Sequence, residues 1–164
     1  MNYRSIFKTI WTLLAVVLTT ACTEKKEYNL TILHTNDTHS QVEPLESGKR
    51  DEYAAGYARR IGMIEQMRQT DTNLILLDAG DFSQGTPYYN FYHGRIEIEA
   101  MNRMGYDAIM LGNHEFDFGV DTLAEVLKIA QFPVVCSNYD VTGTVLEGVV
   151  LPYTIITRGE LRIG

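Results

Sequence analysis

The chain alternates short apolar runs with longer segments of helical periodicity, and this alternation limits the folds open to it. Leu74–Leu77 is a continuous apolar run between polar residues, which is typical of a strand buried on both faces. Ile61, Ile64 and Met67 recur at the spacing of one helix face. Strands that alternate with helices form βαβ units around a buried sheet. The pattern predicts an α/β fold with strands at 28–34, 74–77, 108–111 and 134–136 and helices at 54–68, 96–104 and 121–130.

Two single residues and the end of the sequence carry more local predictions. Gly105 is expected to end the helix at 96–104, because glycine readily takes the left-handed conformation of a helix C-cap. His34 lies inside the first strand and is expected to be a buried, hydrogen-bonded histidine. The pattern closes with shorter β runs, at 148–150 and 153–157, and with the start of another strand at 161–163.

Residues 1–21 have the features of a secretory signal peptide. Arg4 and Lys8 give a basic start, an apolar core follows at 10–18, and small residues precede Cys22. The apolar core is shorter than the roughly 20 residues that a membrane-spanning helix needs. A simple cleaved signal and an uncleaved anchor both fit this composition.

A small residue directly before Cys22 resembles a bacterial lipobox. This resemblance implies that Cys22 becomes the lipidated first residue of an exported protein, held on a bacterial membrane at its periplasmic or cell-surface side. The domain plan that follows is a lipoprotein signal at 1–21, a tether at 22–29 and a folded part at 30–164. With Cys22 assigned to lipid, Cys136 is the remaining cysteine, so no internal disulfide is expected and Cys136 is predicted to be a small buried hydrophobe.

The charge balance excludes one class of partner. The sequence has 14 Lys and Arg against 21 Asp and Glu, a formal net charge of −7. Binding to a nucleic-acid backbone depends on clustered positive charge. A nucleic-acid partner is therefore not expected.

Polar residues with metal-binding side chains follow three successive predicted strands. Asp37 and His39 follow the first strand, Asp81 follows the second, and Asn113 follows the third, with His114 and Asp117 close behind. The carboxyl ends of parallel strands meet at one edge of a sheet, where binding sites collect. Each residue also has a purely structural explanation, such as an Asx turn at Asp81. Together they form a mixed nitrogen and oxygen set that suits Zn²⁺ or Mn²⁺, and a central aspartate can bridge two such ions.

Three motifs resemble those of the calcineurin-like metallophosphoesterases. They read ILHTNDTH at 32–39, LDAGD at 77–81 and GNHEFD at 112–117. Their forms are similar to the branch that contains 5′-nucleotidases, UDP-sugar hydrolases and 2′,3′-cyclic-nucleotide phosphodiesterases. The resemblance implies the N-terminal portion of a fold of layered β-sheets flanked by helices. It also implies hydrolysis of phosphate monoesters of nucleotides by a metal-bound water at a binuclear site.

The resemblance also implies a role for each matching residue. Asp37 and His39 would bind the first divalent ion, Asp81 would bridge both ions, and Asn113 would bind the second. In the loop that contains Asn113, the next residue, His114, would stabilise the phosphoryl transition state or protonate the leaving group. Asp117 would then orient the imidazole of His114.

The family carries further metal-binding histidines downstream, in Gly-His segments, whereas this sequence has no histidine after His114. The sequence is therefore expected to hold the first half of the binuclear site and to be truncated. Two alternatives stay open: a non-catalytic lipoprotein remnant, or a half that needs a separate chain to supply the missing ligands.

Overall fold

The structure is a computed structural model that describes residues 26–45, 54 and 56–164. The predicted signal peptide at 1–21 and the predicted lipidation site, Cys22, lie outside the described residues. No helix in the described part of the chain is both long enough and apolar enough to cross a membrane.

Five parallel strands form the main sheet and lie side by side in the order of the sequence. Each strand hydrogen-bonds to the next one along the chain, and the first four strands form consecutive βαβ units. The strands are β1 (Thr31–Thr35), β2 (Leu74–Asp78), β3 (Ala108–Met110), β4 (Val134–Val135) and β5 (Val150–Leu151). The four strands predicted as the first βαβ units are thereby confirmed.

Helices connect the first four of these strands and pack on one face of the sheet. The predicted C-cap is confirmed, because Gly105 has φ 70° and its N–H donates to the carbonyls of Met101 and Asn102. One helix was missed by sequence analysis, since its six residues are too few to display a period. The helices are α1 (Tyr57–Thr70), α2 (Pro87–Tyr92), α3 (Arg95–Met104) and α4 (Val120–Leu127), with a 3₁₀ helix at His114–Phe116 before α4.

The core lies between the helices and one face of the sheet. Leu76, Ile109 and Val134 point from neighbouring strands into it, where they meet Ile64 of α1 and Ile98 of α3. These five side chains are almost completely buried. Truncation of the larger of these side chains to alanine would cost about 2–5 kcal/mol of stability. The packing of these three strands against α1 and α3 therefore holds the helical layer on the sheet.

The prediction for His34 is wrong. His34 is exposed, and so is Ile32 on the same face of β1. Both side chains project from the face opposite the helices, and the helical layer does not cover this face at β1. The buried environment predicted for His34 is therefore missing.

The last predicted strand exists, and its partner is the strand just before it. β6 (Ile156–Arg158) and β7 (Leu161–Ile163) form an antiparallel hairpin with Arg158 paired to Leu161. Cys136, which follows β4, is buried as predicted and carries a free thiol.

Asp78 ends β2 as a buried carboxylate and links two strand ends. Its Oδ2 accepts a hydrogen bond from Thr35 Oγ1 at 2.5 Å, and its Oδ1 accepts one from the Gly80 N–H at 2.9 Å. Burial raises the pKa of Asp78 to about 6, although both hydrogen bonds oppose this rise. The ionised form of Asp78 is therefore less favourable in the folded protein than in the unfolded chain.

Substitution of Asp78 by Asn is expected to change how stability depends on pH. Because the pKa rises from 3.8 to about 6 on folding, the wild type gains stability from this group at low pH and loses it as the pH rises through that window. The full loss corresponds to about 3 kcal/mol. In urea denaturation, the free energy of unfolding of Asp78→Asn should increase relative to that of the wild type as the pH rises from about 4 to about 7. A difference that stays constant over this range would contradict the assignment.

Candidate metal centre

Two loops at the carboxyl edge of the sheet lie side by side: the β1 loop (36–42) and the β2 loop (79–86). The Asp37 N–H donates to the Gly80 carbonyl at 3.0 Å, and the His39 N–H donates to the Asp81 carbonyl at 3.1 Å. These bonds extend the parallel pairing of β1 and β2 beyond the ends of the strands. As a result, one ligand atom each from Asp37, His39 and Asp81 lies within 4.8 Å of the others.

The backbone of this cluster adopts an uncommon conformation. Asp37, His39 and Asp81 have φ of 50°, 43° and 52°, in the left-handed region that few residues other than glycine occupy. Each such residue costs on the order of 1–3 kcal/mol unless its surroundings hold it in place. Here the hydrogen bonds between the two loops do so.

The donor set fits a divalent cation. Nδ1 of His39 is buried, and among the described residues it has no hydrogen-bond partner. Nε2, the other ring nitrogen of His39, lies 3.7 Å from Oδ1 of Asp37, so it faces the cluster and can bind a cation. The carboxylates of Asp37 and Asp81 supply negative charge beside it, and such a set of nitrogen and oxygen donors suits Zn²⁺ or Mn²⁺.

The β3 loop (111–119) brings a second imidazole to this cluster. The His114 N–H donates to Oδ1 of Asp81 at 3.0 Å, and the His114 ring lies edge-on to the His39 ring with centroids 5.3 Å apart. Asn113, directly before His114, is exposed and borders a cavity of about 510 Å³ that Phe116 and Tyr139 also line. The three loops named by sequence analysis therefore meet at one place.

His114 and Asp117 form a pair at the ends of one 3₁₀ turn. Side chains three residues apart eclipse in a 3₁₀ helix, and Nδ1 of His114 lies 3.0 Å from Oδ2 of Asp117. The hydrogen bond to Asp117 raises the pKa of His114, and the negative charges of Asp117, Asp81 and Glu115 add to this effect, whereas burial opposes it. A carboxylate only accepts hydrogen bonds, so Nδ1 carries the proton and Nε2 is left for the site.

Glu115, for which the sequence predicted no role, lies at the junction of the β2 and β3 loops. Glu115 is only 3% exposed, and its carboxylate accepts hydrogen bonds from the N–H groups of Asp81, Ser83 and Gly112. An acidic residue in a loop is ordinarily exposed. Nothing in the sequence pattern therefore signalled its burial.

A parallel α/β sheet with candidate metal ligands after three consecutive strands fits a metal-dependent hydrolase. Residues 30–160 match the family model of the calcineurin-like phosphoesterases. The chain belongs to the calcineurin-like phosphoesterase family. The family predicted from the three motifs and the α/β fold predicted from the alternating pattern are thereby confirmed.

Several similar proteins are named 5′-nucleotidases. The snake venom 5′-nucleotidase of Gloydius brevicauda is 44% identical over 84% of this chain and 25% of its own length. The human 5′-nucleotidase is 40% identical with the same coverage. The crystal structure of a 5′-nucleotidase precursor from Thermus thermophilus superposes with a TM-score of 0.77 at 41% identity, over 82% of this chain and 27% of that one. The chain thus spans about a quarter of the length of these relatives, which are hydrolases of the metallophosphoesterase type.

Substitution of Gly112 by Ala is expected to displace Asp81. A Cβ at position 112 would overlap Oδ1 of Asp81 and lie 2.7 Å from its Cγ. We expect affinity for Mn²⁺, measured by isothermal titration calorimetry, to fall about 10-fold or more.

Gly62→Ala is the matched control, because a Cβ there meets no atom of the described residues within 4 Å. This helical substitution should keep the Mn²⁺ affinity and raise stability by roughly 0.5–1 kcal/mol. Equal Mn²⁺ affinities in both variants would contradict the placement of Asp81 in the site.

Proposed function

We propose that the protein hydrolyses phosphate monoesters of nucleotides at a centre of two divalent cations. The observation that carries this proposal is the cluster of Asp37, His39 and Asp81, whose ligand atoms lie within 4.8 Å of one another. The resemblance to proteins named 5′-nucleotidases supports the choice of nucleotides as substrates.

Each ligand has a proposed place. Asp37 and His39 would hold the first cation, Asp81 would be shared by both cations, and Asn113 would hold the second through its amide oxygen. Divalent cations bound there would lower the pKa of a water molecule towards neutrality and offset the charge of the phosphoryl oxygens. Zn²⁺ and Mn²⁺ both suit this donor set.

His114 acts on the phosphoryl group, and Asp117 positions the imidazole of His114. Asp117 fixes the ring of His114 through Nδ1 at 3.0 Å and raises the pKa of His114, which favours the protonated ring. Nε2 of His114 can then donate to a phosphoryl oxygen in the transition state or pass its proton to the leaving oxygen. The chain's own side chains thus supply the acid, and no serine or cysteine nucleophile is needed.

The test is release of phosphate from AMP by the protein expressed from the complete reading frame that encodes this chain. We expect activity to require a divalent metal and to vanish with a chelator. His114→Ala should lower kcat by about 10²–10⁴-fold, as for loss of a general acid, and Asp81→Ala should abolish metal-dependent turnover.

Glu125→Ala is the control for these variants, because Glu125 is an exposed residue of α4 that pairs with Lys128. It should keep wild-type activity. Phosphate release that persists after chelation and after both site substitutions would refute the proposed mechanism. Complete absence of phosphate release would favour a non-catalytic protein.

We further propose that the protein is exported and anchored to a bacterial membrane by lipid on Cys22, with residues 1–21 removed and 22–29 as the tether. The basic start, the apolar core and the small residues before Cys22 support this proposal. Labelling with radioactive palmitate should be blocked by globomycin and lost in Cys22→Ala. Label that persists in this variant would refute the anchor.

A further inference from the structure

We propose that Glu115 is a positioning residue, whose carboxylate locks the β2 loop to the β3 loop and so holds Asp81 in place to bind cations. This inference rests on the proposed function, because it concerns the same metal centre. It assigns Glu115 no contact with substrate or metal.

The geometry of the Glu115 carboxylate carries the proposal. Oε2 accepts the Gly112 N–H at 2.6 Å and the Asp81 N–H at 3.1 Å, and Oε1 accepts the Ser83 N–H at 3.0 Å. Two of these donors belong to the β2 loop and one to the β3 loop. One side chain therefore fixes the distance between the two loops at the level of Asp81.

Only a carboxylate satisfies this arrangement. All three facing groups are N–H donors, and an ionised carboxylate is a pure acceptor with lone pairs on both oxygens. Glutamine would keep one accepting oxygen and turn an NH₂ group towards at least one N–H donor. A buried charge is unfavourable unless it is hydrogen-bonded. The three N–H donors supply these hydrogen bonds to the buried carboxylate of Glu115.

Hydrogen bonds at the junction of the β2 and β3 loops hold both the backbone and the side chain of Asp81. Asp81 has a left-handed backbone, which needs support, and its N–H is held by Glu115. On the other side, its Oδ1 accepts the His114 N–H, and Gly112 approaches so closely that a Cβ there would lie 2.8 Å from the Asp81 nitrogen. Release of the Glu115 bonds would let Asp81 move away from Asp37 and His39.

The test compares Glu115→Gln with the wild type in the protein from the complete reading frame, by two readouts. Calorimetric titration with Mn²⁺ should show affinity reduced about 10–100-fold, the range found for residues that orient metal ligands. Hydrogen exchange in the metal-free protein should speed up at the amides of Asp81, Ser83 and Gly112. Glu115→Asp keeps the charge on a shorter side chain and should show the same two effects, so it serves if the glutamine variant fails to fold.

Asp107→Asn is the matched control. Asp107 is also a largely buried carboxylate that accepts a backbone N–H, from Leu76 at 2.9 Å, but it lies before β3 and pairs with Arg158. It should lower the thermal midpoint and leave Mn²⁺ affinity unchanged. A purely structural role for Glu115 would make the two variants behave alike.

The outcomes separate this inference from the proposed function. Wild-type Mn²⁺ affinity in Glu115→Gln, with unchanged exchange at the three amides, would overturn the positioning role. If the wild type bound no Mn²⁺, the proposed function would fail, and the amide exchange alone would decide whether Glu115 holds the loops together.

Discussion

The parallel register of β1 against β2 is the constraint on which the candidate site depends. Thr35 pairs with Asp78, so the two strands leave the sheet at the same level and their loops continue together. The bonds from Asp37 to Gly80 and from His39 to Asp81 then follow directly. A slip of one residue would turn the side chains of one strand to the other face and separate the ligands.

The site combines several features that oppose folding. Three candidate ligands have left-handed backbones, Nδ1 of His39 is buried without a partner among the described residues, and the carboxylate of Glu115 is buried. Proteins retain such local cost where it serves function, and the rest of the fold offsets it. Here the offset comes from the apolar core between the sheet and helices α1 and α3, to which Phe82 of the β2 loop and Leu111 of the β3 loop also belong.

The features that depend on local sequence pattern could be predicted from the sequence. Apolar runs predicted the strands, Gly105 predicted the end of α3, and the strand-end positions of Asp37, Asp81 and His114 brought them to one edge. Features that depend on tertiary contacts could not be predicted in this way. The environment of His34 depends on which face the helices cover, and the burial of Glu115 depends on donors from a different loop.

We propose that the β1 and β2 loops together bind a divalent cation. Anomalous diffraction from crystals of the protein grown with Zn²⁺ would locate this cation. We expect a zinc peak at bonding distance, about 2.0–2.2 Å, from His39 and the carboxylates of Asp37 and Asp81. A zinc peak bound elsewhere, with these three side chains uncoordinated, would contradict it.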